Sequence, residues 1–580
     1  MLDTALTRES RAKALKEMSD DEGVDVLVIG GGVTGAGIAL DAATRGLRTA
    51  IVEMQDWAQG TSSRSSKLVH GGLRYLYQLN FHLVAESLRE RGLLLTKTAP
   101  HLVKAQPFLW PLKMPVIERA YSATGIGMYD AMAQAAFPGS VPVQHHHTRK
   151  GTKEIFPDIN DHKLVGSIEF YDARVDDARL VMTLVRTAQG YGALPASRTQ
   201  VVGLTKDGTG RVVGATVKDL ESGKKLEVKA KHVINATGVW TEANDALSET
   251  GGGLEVLASK GVHIVVPRER LNGQAGLFIR TEKSVLFIIP WQHYWIIGTT
   301  DTPWKEPVQH PTATKKDVNY ILKEANPYLS KPLTHEDIIG VYTGLRPLLQ
   351  PKVKEGTAST KVSREHTVAE VVPGLTAIAG GKLTSYRKMA EDAVDFTMGT
   401  VFAKANPSVT DNTLLAGAEG YEAAQASAGR IATKYGWTLD RVQHLLDRYG
   451  SMISDILEIV DEDPAMGEPL KSNDWYIPAE VVYAVTHEGA LHLEDIVNHR
   501  VRLALETPDR GISALPELAN IVAPLLGWDE ATKKHEIEAY TKDAQAELDA
   551  MKTATDAESA SIRNAVPDLI PVEDLPGDVA

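Results

Sequence analysis

The sequence predicts an α/β protein with a separate helical domain at its C-terminal end. Three observations carry that prediction. Residues 24–30, VDVLVIG, are a short apolar run ending in glycine, the pattern of a buried parallel strand. In the middle of the chain, strand-like runs alternate with turn signals. After about residue 410 the apolar spacing changes to that of amphipathic helices.

In chain order, residues 1–23 form an extension before the fold. Arg8, Glu9, Arg11, Lys13, Lys16 and Glu17 are spread along it, so it lacks the apolar stretch of a signal peptide. After the first strand, Thr34 to Arg45 reads as a helix of small residues and Arg48 to Glu53 as a second strand, which completes a βαβ unit. Further strands are expected at 232–238, 263–266, 285–289, 294–298 and 375–379, with turns at Lys206-Asp207-Gly208 and Glu221-Ser222-Gly223. This spacing predicts antiparallel hairpins. Val442, Leu445, Leu446 and Tyr449 follow the i, i+3, i+4, i+7 pattern, and Ile496–Glu506 and Thr532–Met551 also read as helices. A helical domain is therefore expected over about 411–550. Beyond it, Pro567, Pro571 and Pro576 among acidic residues predict a flexible acidic tail over 551–580.

Composition narrows the function. The 580 residues carry 62 Lys+Arg against 75 Asp+Glu, a net charge of −13, with 43% hydrophobic and 24% charged residues. That balance is ordinary for a soluble globular chain and excludes disorder, collagen or coiled coil as descriptions of the whole. An isoelectric point near 5.8 argues against a nucleic-acid surface. An anionic ligand must then be held by a local Arg/Lys cluster. With no cysteine, there is no disulfide, thiolate nucleophile, Cys-ligated metal or cysteinyl cofactor link. No run of about 18 apolar residues occurs; the nearest, Leu286 to Ile297, is broken by Pro290, Gln292 and His293. A peripheral membrane contact stays open.

The first βαβ unit carries Gly30-Gly31-Gly32-Val33-Thr34-Gly35, which satisfies G-x-G-x-x-G between strand and helix. Glycines there give a tight turn, room for a pyrophosphate and close helix–strand packing, and the helix N-terminus faces the phosphates. Glu53 follows 18 residues after Gly35, where a carboxylate accepts from a ribose hydroxyl. This favours FAD or NAD over NADP. Asn235-Ala236-Thr237-Gly238 resembles the late A-T-G stretch of two-domain flavoproteins, which points to FAD. Gly380-Gly381-Lys382-Leu383-Thr384-Ser385 reads as a βα turn whose helix N-terminus would stabilise reduced flavin.

Residues 61–77, TSSRSSKLVHGGLRYLY, closely resemble the hallmark of the aerobic, FAD-dependent glycerol-3-phosphate dehydrogenases. Further matches follow at 260–267 (KGVHIVVP), 296–301 (IIGTTD), 342–347 (YTGLRP) and 380–388 (GGKLTSYRK). The resemblance runs from about residue 24 to 395, more loosely over 411–550. It implies a glutathione-reductase-like FAD-binding Rossmann domain, an antiparallel-sheet substrate domain of α+β type and a helical C-terminal cap. Within 24–410, FAD parts are expected at about 24–110, 170–260 and 340–410, and substrate parts at about 111–169 and 261–339. It also implies oxidation of sn-glycerol 3-phosphate to dihydroxyacetone phosphate, electrons passing to membrane quinone, and a homodimer lying peripherally on the cytoplasmic face of the membrane.

The same resemblance assigns site residues. Gly30, Gly32, Gly35, Glu53, Thr61, Ser62, Ser65, Lys67, His70, Gly71, Gly238, Gly381 and Leu383 are expected at the cofactor. Arg74, Tyr75, Thr299, Arg364 and Thr384 are expected at the substrate, where a phosphate dianion needs cationic donors. His263, Arg346 and Lys382 are expected at the chemistry. His263 is the candidate base because an imidazole titrates near the working pH; water or Lys382 are the alternatives. His145-His146-His147 reads as a surface loop rather than a metal site, and Trp291, Tyr294 and Trp295 as sheet packing. No EF-hand loop is present, so calcium regulation is not carried over. The competing readings are a glycerol-3-phosphate oxidase using oxygen, an amine or amino-acid oxidase on the same fold, a flavin-binding module without turnover, and an NAD-dependent dehydrogenase.

Overall fold

The computed structural model describes residues 2–76, 79–114, 116–249, 254–281, 285–349 and 366–574, with the backbone alone for Arg74. Two sheets organise the chain. In the first the strand order is Thr367–Val372, Leu375–Ala379, Lys225–Asn235, Val24–Ile29, Thr49–Val52, Leu194–Ala196. Its neighbours pair in parallel from Leu375–Ala379 onward, and Thr367–Val372 closes one edge antiparallel. Helices cover this sheet, so Val24–Ile29 is buried at every position but Asp25, which is why its sequence is a continuous apolar run. The helix Val33–Thr44 can lie close to the helix Tyr386–Ala405 because of its small residues; a Cβ at Gly37 would stand 3.0 Å from the Tyr386 ring.

The second sheet is antiparallel except where Gly276–Arg280 meets Lys104–Leu112. Trp291, Tyr294 and Trp295 are buried in it. His145–Thr148, expected as a surface loop, is a strand of this sheet paired with Gly166–Arg174. The chain divides between the sheets differently from expectation. Lys104–Leu112 and Gly340–Leu349, assigned mostly or wholly to FAD parts, are strands of the second sheet. The physical reason is the ladder that pairs Val256 with Leu349 through to Val265 with Gly340, which joins motifs far apart in sequence.

Helices dominate from Tyr421 to Ala550. The Leu439–Tyr449 helix buries Val442, Leu445, Leu446 and Tyr449, as their spacing requires. Ile496–Glu506, expected as one helix, is a π-helical turn to Arg500, a left-handed Arg502 (φ 52°) and a short helix Leu503–Glu506. The break aims two cations at the FAD-binding unit. Arg500 Nη1 donates to Asp56 Oδ2 at 2.7 Å, and Arg502 Nη2 to Asp177 Oδ1 at 3.3 Å.

Both chain ends act as clasps. In the N-terminal extension the Leu6 N–H donates to His487 O at 2.9 Å, Arg8 donates to Leu526 O at 2.7 Å, and Arg11 pairs with Asp219 at 2.5 Å. The tail expected to be flexible is packed as far as it is described. Asp556–Asn564 is a helix, Asp556 pairs with buried Lys260 at 2.5 Å, and buried Arg563 pairs with Asp543 and Asp568. Its acidic residues are partners for buried cations, a role that composition alone does not reveal. Residues 575–580 lie outside the described residues.

Candidate active site

A cleft of about 1120 Å³ lies at the carboxyl ends of the parallel strands, lined by Gly30, Gly32, Glu53, Thr61, Ser62, Gly238, Gly381 and Leu383 among others. Its floor excludes side chains. Gly30 sits at φ 107°, and a Cβ there would stand 2.8 Å from Ala236 O; a Cβ at Gly35 would stand 1.9 Å from Gly30 O. Glu53 ends the second strand with Oε2 accepting from the Gly31 N–H at 2.6 Å and Oε1 from the Gln55 N–H at 2.8 Å. Burial pushes its carboxyl above the ordinary range while the two N–H groups pull it down. Gly32 caps the following helix without a side-chain bond, and the Val33 N–H donates to Ser62 Oγ at 2.9 Å. A helix N-terminus, a floor that admits no Cβ and a terminal carboxylate fit the pyrophosphate and ribose of FAD.

At Thr61, Ser62, Gly381, Lys382 and Leu383 the cleft adjoins a second chamber of about 970 Å³. That chamber meets a third, of about 640 Å³, at Ser66, His70 and Arg346. The Arg346 guanidinium donates to Thr299 Oγ1 at 3.0 Å and Thr300 O at 3.2 Å, and faces Asp301 Oδ1 at 3.4 Å. Lys382 Nζ donates to Ser87 Oγ at 3.2 Å and lies 4.2 Å from the centroid of the Tyr75 ring. In a chain of net charge −13, Arg346 and Lys382 both line the second chamber.

His263 faces Gly298 and Tyr342 across its strand neighbours and is only 2% exposed. Its ring stacks on Tyr342 at 4.8 Å and 10°, and Nε2 lies 2.8 Å from Ser66 Oγ. Burial, then Arg346 and Lys67, push the imidazole far below its ordinary value. It is therefore neutral at neutral pH, and the expectation that it titrates near the working pH does not hold in this environment.

Comparison with known proteins gives this geometry a family. Residues 25–387 match the FAD dependent oxidoreductase family, and residues 408–533 match the C-terminal domain of alpha-glycerophosphate oxidase. Glycerol-3-phosphate dehydrogenase 2 of Mycobacterium tuberculosis is 49% identical over 564 residues, covering 97% of this chain and 95% of that one. The chain belongs to the FAD-dependent glycerol-3-phosphate dehydrogenase family. The human mitochondrial glycerol-3-phosphate dehydrogenase is 36% identical over 560 residues, covering 92% of this chain and 75% of that one. The crystal structure of the glycerol-3-phosphate dehydrogenase from Bacillus halodurans, complexed with FAD, superposes with a TM-score of 0.73 at 29% identity, covering 93% of this chain and 98% of that one.

The structure distributes the family's motif residues over several roles. Lys67, expected at the cofactor, is buried away from the cleft, with Nζ donating to Asp177 Oδ1 and Ser63 O at 2.5 Å each. Burial and neighbouring Arg502 lower its pKa to about 8. Gly71 lies behind the loop, where a Cβ would stand 2.4 Å from Leu88; its N–H donates to Tyr129 Oη at 2.8 Å and Asp172 Oδ1 at 3.2 Å. Ser65 lines the second chamber, but its N–H and hydroxyl both donate to Asp177 Oδ2. The Thr61 hydroxyl donates to Leu345 O at 2.6 Å. Thr384, expected at the substrate, accepts from the His70 N–H at 3.0 Å and donates to His70 O at 3.2 Å, so it holds the loop that carries His70. Tyr75 and Thr299 line the third chamber. Arg364 lies outside the described residues, and of Arg74 only the backbone is described, in the short helix Leu73–Leu76. Sequence reasoning gave no role to Ser66, Asp301 or Tyr342, although all three stand inside the matched motifs. Among the described residues no group of three or more His, Cys, Asp or Glu could hold a metal.

Proposed function

We propose that the protein oxidises sn-glycerol 3-phosphate to dihydroxyacetone phosphate and passes the electrons to a membrane quinone. The observation that carries this reading is the junction of the FAD cleft with a chamber lined by both Arg346 and Lys382. Bound FAD supplies the hydride acceptor at flavin N5. Arg346 and Lys382 neutralise the phosphate dianion and the charge that develops on the carbinol oxygen. The family resemblance makes Arg74 and Arg364 further candidates for the phosphate, and Tyr75 and Thr299 line the third chamber. His263, neutral at its buried position, accepts the hydroxyl proton.

An apolar surface supports delivery to a membrane quinone. Ile117, Tyr121 and Met128 share one face of the helix Ile117–Ala136, and exposed Met114 and Val116 precede it in the chain. Val116 is 73% and Ile117 78% exposed. Among the described residues no helix is long and apolar enough to cross a membrane, so the contact proposed is peripheral, on the inner face, by a homodimer as the family resemblance implies. The test is turnover of glycerol 3-phosphate under air with a soluble quinone analogue present. One quinone should be reduced per substrate with hydrogen peroxide near background. Peroxide released one-for-one would make the protein an oxidase instead.

A further inference from the structure

Ser66 lies beside His263 and lines both the second and the third chamber, whereas His263 reaches the second alone. The imidazole is closed in on several sides. One face stacks on Tyr342 at 4.8 Å, and at Gly298 a Cβ would come within 2.4 Å of His263 Cδ2. Among the described residues Nδ1 has no hydrogen-bond partner, and Nε2 has only Ser66 Oγ, at 2.8 Å. Ser66, in contrast, is half-buried and lines both the second and the third chamber. His70 and Arg346 are the other residues that line both, whereas His263 lines the second alone. A carbinol bound at that junction, where Ser66 and Arg346 both line the space, would have the Ser66 hydroxyl within reach from either chamber.

We propose that Ser66 is a catalytic residue that relays the substrate's hydroxyl proton to His263; this rests on the glycerol 3-phosphate reading. The carbinol O–H bond breaks as a new O–H bond forms on Ser66. The original Ser66 O–H bond breaks as an N–H bond forms on His263 Nε2. The carbinol hydrogen leaves with its electron pair as the hydride already described, so a carbonyl remains and Ser66 is unchanged. The relay needs Nε2 unprotonated beforehand, and a neutral imidazole in the Nδ1–H tautomer satisfies that. No free alkoxide has to accumulate.

The test uses the FAD-loaded protein. Flavin reduction by glycerol 3-phosphate is followed anaerobically by stopped flow in wild type, Ser66→Ala and Ser66→Thr, in water and in deuterium oxide. Dihydroxyacetone phosphate affinity is read from the flavin spectrum, and the His263 ring nitrogens from 15N NMR without substrate. Ser66→Ala is expected to slow reduction about 100-fold, the size of a lost proton-transfer group. Its product affinity should be unchanged, the solvent isotope effect lost and the Nε2 resonance shifted, with Ser66→Thr restoring most of the rate. Ser66→Ala reducing as fast as wild type overturns the relay alone. A slow Ser66→Ala with an unshifted Nε2 resonance and an equally slow Ser66→Thr also overturns it, since the position then matters only for packing. A wild-type flavin that stays oxidised overturns the substrate reading and the relay together.

Discussion

A Cβ at Gly261 would stand 2.6 Å from Nη2 of Arg346 and 2.8 Å from Thr299 Oγ1. The absent side chain lets the guanidinium pass over Gly261 of the neighbouring strand, two residues from Arg346's own register partner Ser259, and reach Thr299. Gly261 belongs to the KGVHIVVP stretch and Arg346 to YTGLRP, so two motifs remote in sequence are fitted to one another by the Val256–Leu349 ladder.

Gly261→Ala is therefore expected to displace Arg346 without unfolding the sheet. Flavin reduction by glycerol 3-phosphate should fall roughly 10–100-fold in kcat/KM, the cost of misplacing a positioning group by about 1 Å. The melting temperature should move little. Steady-state kinetics beside a thermal melt check both.

Thr384 is bound in both directions to the backbone of His70, so Thr384→Val removes the Thr384 partner of a half-buried N–H and C=O. A loss of about 1–3 kcal/mol in stability is expected, with a raised KM as the His70 loop loosens. Thr384→Ser should keep both bonds and stay close to wild type in a denaturant titration.

The strand 24–29, the glycine turn and Glu53 were legible because each depends on local pattern: apolar run, backbone space, strand end. The hairpin-rich middle and the amphipathic Leu439–Tyr449 helix were legible for the same reason. What was not legible depends on partners supplied from elsewhere. Lys67 looks like a cofactor ligand until Asp177, 110 residues away, takes its ammonium. The tail looks solvated until Lys260 and Arg563 claim its carboxylates. Ser66 was in view within its motif, but its position beside His263 arises only when residues 197 apart in sequence are folded together.

Lys67→Met tests the structural role directly. It leaves Asp177 in the interior with one fewer cation, a change expected to cost about 3–5 kcal/mol. Folded protein should retain FAD with near wild-type affinity, measured by flavin fluorescence. A stable variant that loses FAD would return Lys67 to the cofactor site.

His492 of the helical domain bridges to the FAD-binding part, with Nε2 2.9 Å from Glu221 Oε1 and Nδ1 2.8 Å from Glu536 Oε1. Burial pulls its pKa down, but the two carboxylates outweigh that and push it from 6.5 up to about 10. A folded pKa above the unfolded one means that the contribution is complete below about pH 6.5 and is lost as pH rises towards 10. The gap in melting temperature between wild type and His492→Gln should be widest below pH 6.5 and close steadily above it.

The most direct measurement is the visible spectrum of the FAD-loaded protein before and after glycerol 3-phosphate is added without oxygen. Bleaching of the oxidised flavin band, near about 450 nm, by this substrate and not by glycerol or an amino acid is the expected result. A flavin that stays oxidised with glycerol 3-phosphate, in protein shown to hold FAD, would contradict the proposed activity.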